Sequence, residues 1–85
     1  MSDLSKKFEE AAAGVKKLKE DPGNDAKLKL YALYKQGSEG DVQGKRPGFT
    51  DMIGRAKYDA WAKVKGLSKE QAMKDYVALV KSLGA

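Results

Sequence analysis

The stretch Leu28-Lys-Leu-Tyr31-Ala-Leu-Tyr34-Lys35 decides the fold, because its spacing is helical and its two faces differ. Residues three and four apart are neighbours on a helix, so Leu28, Tyr31 and Lys35 share one face. An apolar side chain, an aromatic ring and a cation on that face suit a ligand with a planar base, a phosphate and an apolar part. The spacing is equally compatible with an exposed tyrosine lying against the alkyl stem of the lysine. The other stripe has the spacing of a core-facing surface and consists of Leu30, Leu33, Tyr34 and Gly37.

Three further segments have the periodicity of amphipathic helices. Apolar residues recur at intervals of three and four along residues 3–19, and the pattern returns after potential capping residues at Asp51 and Ser68. No alternating strand pattern competes with these segments. The sequence therefore predicts an all-α fold, a small four-helix bundle, with helices over residues 3–19, 24–36, 51–64 and 68–83.

The ends of the second helix are marked by residues that favour caps and breaks. Asn24 or Asp25 is expected to cap its start, and Gly37 and Gly40 are expected to interrupt it after Gln36. In the last helix, Ser68 and Gln71 have the spacing of a capping box, and Gly84 is placed to end it.

The segment 38–50 has no periodicity and contains three glycines and a proline. A structureless connection of this length is usually functional or packed back on the body. Val42, Pro47 and Phe49 are the apolar residues expected to anchor it. The third helix, which follows, is expected to turn one apolar face to the core, with Lys57 at the edge of a groove. That predicted inner face consists of Met52, Ile53, Ala56, Ala60, Trp61 and Val64.

Composition limits the classes of function. Eighty-five residues suffice for one domain with one modest core. Because the chain has neither cysteine nor histidine, disulfides, thiolate chemistry and Cys/His metal sites are excluded. No apolar run has the length of a membrane span or the character of a signal peptide, so a cytoplasmic protein is expected. The net charge of +5 invites an anionic partner, although only Arg46 and Arg55 are arginines.

Several motifs, in this order and spacing, closely resemble the acyl-CoA-binding protein family, also known from the diazepam-binding inhibitor. The resemblance covers almost the whole chain, and its motifs are Tyr31-Ala-Leu-Tyr-Lys-Gln36, Gly40-Asp-Val42, Arg46-Pro-Gly48, Ala56-Lys-Tyr-Asp-Ala-Trp61, Gly66-Leu-Ser68 and Ala72-Met-Lys-Asp-Tyr-Val77.

The resemblance implies a single acyl-CoA-binding domain over residues 1–85, folded as an up-down-down-up bundle with the long loop between helices two and three. It implies binding of medium- to long-chain fatty acyl-CoA by a monomeric carrier that catalyses no reaction. It implies neither a cofactor nor a metal, and neither nucleic-acid binding nor stable membrane insertion.

The resemblance also implies which residues bind the ligand. Tyr31 would flank the adenine, Lys35 and Lys57 would contact the 3′-phosphate region, and Tyr76 would offer its ring and hydroxyl to the same nucleotide end. The rest of the implied ligand-binding set is Lys16, Leu28, Ala32, Leu33, Tyr34 and Ala56. The implied border of the acyl groove is Ala12, Pro22, Lys27 and Ile53.

The sequence departs from the family pattern at the groove border. Ile53 stands where many members have a lysine, and Lys27 stands where the family is often apolar. The change at Ile53 removes one potential phosphate contact, for which Arg55 could compensate. These departures bear on affinity and chain-length preference, and they leave the implied class of ligand intact.

Two other classes of function remain as alternatives. A basic helical nucleic-acid-binding module could use Val64-Lys-Gly-Leu-Ser68 as the turn of a helix-turn-helix, although the side chains after that turn are poorly suited to reading bases. A protein-interaction module could use Tyr31 and Tyr58 as hot spots. An enzyme is not expected, because no two carboxylates have a convincing acid/base spacing.

Overall fold

The structure is a computed structural model that describes residues 2–84, which contain four α-helices and no strand. The predicted domain also includes Met1 and Ala85, which lie outside the described residues. The helices confirm the predicted all-α class. Their bounds are Ser2–Val15 for α1, Asn24–Glu39 for α2, Met52–Lys63 for α3 and Lys69–Ser82 for α4.

The first helix ends four residues earlier than its periodicity predicts. After Val15 the backbone tightens, since Lys17 N donates to Gly14 O at 2.9 Å and Leu18 N donates to Val15 O at 3.3 Å. These bonds span three residues, as in a 3₁₀ turn. Leu18 therefore follows the apolar stripe without being part of the α-helix.

The second helix continues through Gly37 to Glu39, because this glycine lies inside a packed contact. A Cβ at Gly37 would stand 3.1 Å from Phe8 Cζ, so the bare backbone lets the ring approach. Gly40, with φ of 88°, ends the helix and donates its N–H to Gln36 O.

Of the predicted N-caps of α2, α3 and α4, two are confirmed and one is wrong. The side chain of Asp51 accepts from Gly54 N and that of Ser68 accepts from Gln71 N, each at 3.0 Å. At α2 the N-cap is Gly23, with no side-chain cap bond, instead of Asn24 or Asp25. Gly84, with φ of 97°, follows the C-cap of α4 as predicted.

The core lies where α1, α2 and α4 meet. Phe8 stacks on Tyr34 with ring centroids 5.1 Å apart, and it meets Tyr76 edge-on at 5.2 Å. Aromatic pairs at these distances stabilise the fold beyond the area that they bury. The buried cluster consists of Phe8, Leu30, Leu33, Tyr76 and Val80.

Helices α2 and α3 run parallel. The chain must therefore return along their length between the end of α2 and the start of α3, and the long loop makes that return. Lys57 lies beside Tyr31 and Trp61 lies beside Lys35, so residue numbers rise in the same direction along both helices. α1 packs on α4, and α2 packs on both α3 and α4. The topology is the up-down-down-up arrangement, as predicted.

The predicted inner face of α3 is wrong at its N-terminal end. Met52 is 77% exposed and Ile53 is 73% exposed, and α3 contains no buried residue among those that the structure describes. The Cα atoms extend over 37 × 30 × 15 Å, so the molecule is thin. Among the main helix contacts, α3 packs only on α2, which leaves the opposite side of α3 uncovered. The half-buried Trp61 donates its indole N–H to Gly40 O at 2.9 Å, so it anchors the loop.

The long loop packs back on α3 as expected, and its hydrogen-bonded contacts with that helix are polar. Arg46 makes two hydrogen bonds to the carboxylate of Asp59, at 2.8 and 2.6 Å, and the hydroxyl of Tyr58 donates to Gly44 O at 2.9 Å. Of the predicted apolar anchors, Val42 and Pro47 are half-buried, whereas Phe49 is 78% exposed. The loop is therefore held by a guanidinium–carboxylate fork and a tyrosine hydroxyl.

Gln36 joins α2, the loop and the turn before α4. Its amide is fully buried and donates to Asp41 Oδ1 at 2.8 Å and to Leu67 O at 2.7 Å. Its carbonyl oxygen accepts from the indole of Trp61 at 3.1 Å. Asp41 Oδ1 also accepts from Gly66 N at 2.8 Å. Every polar atom of this buried amide is therefore satisfied.

Candidate functional site

Two lysines from different helices flank the ring of Tyr31. Lys57 Nζ, from α3, lies 5.5 Å from the ring centroid, and Lys35 Nζ, from α2, lies 5.9 Å from it. Both distances are within the range of a cation–π contact. The parallel packing of α2 on α3 thus brings together an aromatic ring and two cations that are more than twenty residues apart in sequence.

Besides Tyr31, two further neighbours hold Lys35 in place. Its ammonium lies 5.7 Å from the ring of Trp61 and pairs with the carboxylate of Glu39 at 2.7 Å. The hydrogen bond to Glu39 raises the pKa of Lys35 above its ordinary value, so the cation is fully charged at neutral pH. Since its side chain is 31% exposed, the ammonium can still reach a phosphate.

A second group of predicted residues lines a depression beside α1. Ala12 and Lys16 of α1 share this depression with Tyr34 of α2 and Tyr76 of α4. Tyr76 is only 4% exposed, and burial raises the pKa of its hydroxyl. Tyr76 therefore presents a neutral hydroxyl and little of its ring to this depression.

A third group lies in the seam between α2 and α3. Leu28 and Ala32 of α2 face Ala56 of α3 across a shallow hollow. Ala32 is 2% exposed, which leaves almost none of its own surface for a ligand. Leu33 belongs to the core cluster and is 8% exposed. Of these residues, Leu28 and Ala56 are half-buried and keep accessible surface.

The implied border of the acyl groove gathers near one end of the α2–α3 pair, except for Ala12 on α1. Lys27 pairs with Asp21 at 2.9 Å, next to the half-buried Pro22. Lys27 precedes Tyr31 by one helical turn, and Ile53 precedes Lys57 by one turn. Because the helices are parallel, Lys27 and Ile53 flank the same end of the site.

Sequence reasoning missed two residues that shape the site. Glu39 pairs with Lys35, and the i,i+4 spacing on one helix could have revealed it. Trp61 was expected in the core, and it instead lies beside the ammonium of Lys35. No local pattern could have found this second contact, since the two residues belong to different helices.

The site combines an aromatic ring that can stack on a planar group, cations that can pair with anions, and shallow apolar hollows. Among residues 2–84 there is no group of three or more acidic side chains that could hold a metal ion. Over the same range, no helix has both the length and the apolar character needed to cross a membrane.

Comparisons with known proteins identify relatives of this chain. The family model described as "Acyl CoA binding protein" matches residues 5–80. Acyl-CoA-binding protein homolog 1 of Caenorhabditis elegans is 55% identical over 76 residues, which cover 89% of this chain and 88% of that protein. Enoyl-CoA delta isomerase 2 of Homo sapiens is 54% identical over 83 residues, which cover 98% of this chain and 21% of that longer protein.

The fold agrees with solved structures of the same group. The crystal structure of Oryza sativa acyl-CoA-binding protein 2 superposes with a TM-score of 0.90 at 48% identity, covering 94% of this chain and 89% of that one. That of the protein from Moniliophthora perniciosa gives 0.83 at 38% identity, covering 95% and 84%. With the family model spanning nearly all of the described residues, the chain belongs to the acyl-CoA-binding protein family.

Proposed function

We propose that this protein is a monomeric cytoplasmic carrier of medium- to long-chain fatty acyl-CoA. Family membership supports acyl-CoA binding, and the observation that carries the proposal is the pair of ammonium groups flanking one ring, Lys35 and Lys57 about Tyr31. Residues 1–85 would act as one binding domain that needs no cofactor, catalyses no reaction and does not bind nucleic acid.

The nucleotide end would bind to the Tyr31 face. Stacking of a base on an aromatic ring contributes about 1 to 3 kcal/mol. Lys35 and Lys57 would meet the phosphates as point charges, for which arginine's fork is not required. In this arrangement Tyr34, Tyr76 and Lys16 would close the α1 side of the site.

The acyl chain would lie along the α2–α3 seam, beside Leu28 and Ala56, toward Lys27 and Ile53. At about 0.8 kcal/mol per buried methylene, a sixteen-carbon tail would contribute on the order of 10 kcal/mol before the cost of ordering the ligand. The tail is therefore the largest single contribution, and longer chains should bind more tightly until the seam is filled.

Titration calorimetry below the micelle concentration tests the proposal. Palmitoyl-CoA is expected to bind one-to-one, more tightly than octanoyl-CoA, with free CoA and palmitate both much weaker. Failure of a folded sample to bind any thioester would overturn it.

Variants test the residue assignment separately. Tyr31→Ala is expected to lower affinity about ten- to hundredfold, and Lys57→Ala about tenfold. Lys81→Ala, which removes an exposed α4 lysine on the groove between α1 and α4, is the matched control for lost charge. Unchanged affinity of a folded Tyr31→Ala variant would contradict the assignment.

A further inference from the structure

A groove of about 820 Å³ lies between α1 and α4, and none of its lining residues belongs to the proposed ligand site. We call it the α1–α4 groove. Residues of the first turns of α1 form one wall, and the α4 wall extends from Lys69 to Lys81. At a rise of about 1.5 Å per residue, that wall is about 18 Å long. The groove therefore has the length of about three turns of a helix.

The floor of the α1–α4 groove is apolar. Leu4 of α1 and Met73 and Val77 of α4 line it and are half-buried, so part of each side chain remains accessible. Met73 and Val77 are four residues apart and are therefore neighbours along α4. Methionine adapts its shape to different apolar partners. A partner that presents a narrow apolar stripe could cover this floor.

The rim of the α1–α4 groove is basic. Its charged residues are Asp3, Lys7, Lys69, Glu70, Lys74 and Lys81. Four lysines against two carboxylates give a formal charge of +2. Of these lysines, only Lys74 has an ion pair among residues 2–84, with Glu70 at 3.5 Å. Lys69 is also the first residue of α4, where a cation opposes the helix dipole, so it does not stabilise that helix end.

Shape and charge together favour an acidic amphipathic helix over other occupants. A helix that binds in a groove buries one apolar stripe and leaves its flanks on the rim, where carboxylates would meet the lysines. A second copy of this chain is a poor fit, because its net charge of +5 has the same sign as the groove. Nucleic acid would pair with the lysines and leave the apolar floor uncovered.

We propose that the α1–α4 groove binds an amphipathic helix of a partner protein, with an apolar stripe on the floor and flanking carboxylates on the rim. Because the groove and the proposed ligand site share no residue, partner and ligand can bind at the same time. The inference does not depend on the proposed function.

Fluorescence anisotropy with three labelled peptides tests the inference on the intact chain. Each peptide has about 18 residues, enough to form a helix. The first has a leucine stripe flanked by glutamates. The second has lysines in place of the glutamates, and the third has serines in place of the leucines. The first peptide is expected to bind one-to-one, about tenfold more tightly than either of the others.

Charge reversal on both walls locates the binding. Lys7→Glu/Lys69→Glu is expected to lower affinity for the glutamate peptide about tenfold and to raise affinity for the lysine peptide. Since misfolding cannot produce a gain of binding, the second effect is the sharper test. The matched control is Lys19→Glu/Lys45→Glu, which makes the same change in net charge at exposed positions outside the groove. It should alter both affinities less than about twofold.

Several outcomes would overturn the inference. They are no saturable binding of the glutamate peptide, equal binding of the serine peptide, and equal effects of the two double variants. A wild-type dimer in sedimentation equilibrium that Lys7→Glu/Lys69→Glu abolishes would assign the groove to a second copy and also overturn it. Calorimetry with octanoyl-CoA should give the same affinity for both double variants, so a failure of peptide binding is distinguishable from a failure of the ligand site.

Discussion

In the proposed site, Glu39 would compete with a ligand for the ammonium of Lys35. The two side chains pair at 2.7 Å on the last turn of α2, in the weaker of the two i,i+4 orientations. A carboxylate at the C-terminal end of a helix also opposes the helix dipole. A phosphate bound at Lys35 as proposed would have to displace this partner, so we expect Glu39 to lower affinity while contributing little to the stability of the fold.

Glu39→Gln is therefore expected to raise acyl-CoA affinity about twofold, the fold-change that matches an exposed pair of about 0.3 to 0.5 kcal/mol. The free energy of unfolding should stay within about 0.5 kcal/mol of the wild-type value, because loss of the ion pair is offset by removal of the unfavourable interaction between the carboxylate and the helix dipole. Titration calorimetry measures the affinity, and urea unfolding measures the stability. Glu70→Gln, which removes the same charge from an exposed i,i+4 pair of the opposite orientation on α4, is the charge-matched control, and an equal gain in affinity there would refute a local effect.

Gln36, unlike Glu39, is important for the stability of the fold, since its amide is fully buried and hydrogen-bonded. Gln36→Leu leaves the carbonyl of Leu67 without its side-chain donor, and we expect it to lower the free energy of unfolding by about 1 to 3 kcal/mol. Gln71→Leu, which removes an exposed amide bonded only to Asp75, should cost less than about 0.5 kcal/mol. Similar costs for both in urea unfolding would show that the buried network contributes nothing particular.

At the scale of the element, α3 differs from its neighbours because it buries no side chain completely. Its stability depends on the seam with α2, on the loop contacts and on its cap. α4 contributes Tyr76 and Val80 to the core, so its own cap is backed by packing. The same chemical change at the two caps should therefore have different consequences.

Asp51→Ala and Ser68→Ala should each lower the free energy of unfolding by about 1 kcal/mol, and the double variant should show additive losses. Hydrogen exchange is expected to separate them. Loss of Asp51 should speed exchange locally in the first turn of α3, whereas α4 should open mainly with the whole molecule. Uniform exchange throughout both variants would contradict this difference.

For the whole molecule, three carboxylates link stability to acid. A hydrogen bond from Lys27 lowers the pKa of Asp21, the N–H of Gly66 lowers that of Asp41, and the guanidinium of Arg46 lowers that of Asp59, all from an ordinary value of 3.8. A pKa depressed by folding contributes stability above the ordinary value, and that stability is lost as the pH falls through the folded value.

The free energy of unfolding should therefore be nearly constant between about pH 5 and pH 8 and decline below about pH 4. Asp41→Asn keeps an oxygen that can accept from Gln36 and Gly66 but removes the charge, so it should flatten part of that decline. Urea unfolding at pH 7 and pH 3 measures both. A steeper acid decline in the variant than in the wild type would contradict the assigned sign.

Local spacing predicted the four helices because each amphipathic face repeats every three to four residues, and it predicted the contact between Tyr31 and Lys35 for the same reason. It failed at Met52 and Ile53, since a repeat tells which residues share a face and not whether another element covers that face. It also failed at Phe49, because the loop is held by Arg46 and Asp59, whose pairing no local pattern contains. The placement of Lys57 beside Tyr31 needed either the family resemblance or the fold.

The position of Trp61 should make ligand binding visible in the intrinsic tryptophan fluorescence. It is the chain's single tryptophan, and its indole lies between the buried amide of Gln36 and the ammonium of Lys35. A phosphate that draws Lys35 away changes the electric field at the indole, so intrinsic fluorescence should shift when a ligand occupies the proposed site. Ligand loading could then be followed in real time on the unlabelled chain, and a Lys35→Ala variant should bind more weakly and without that spectral change.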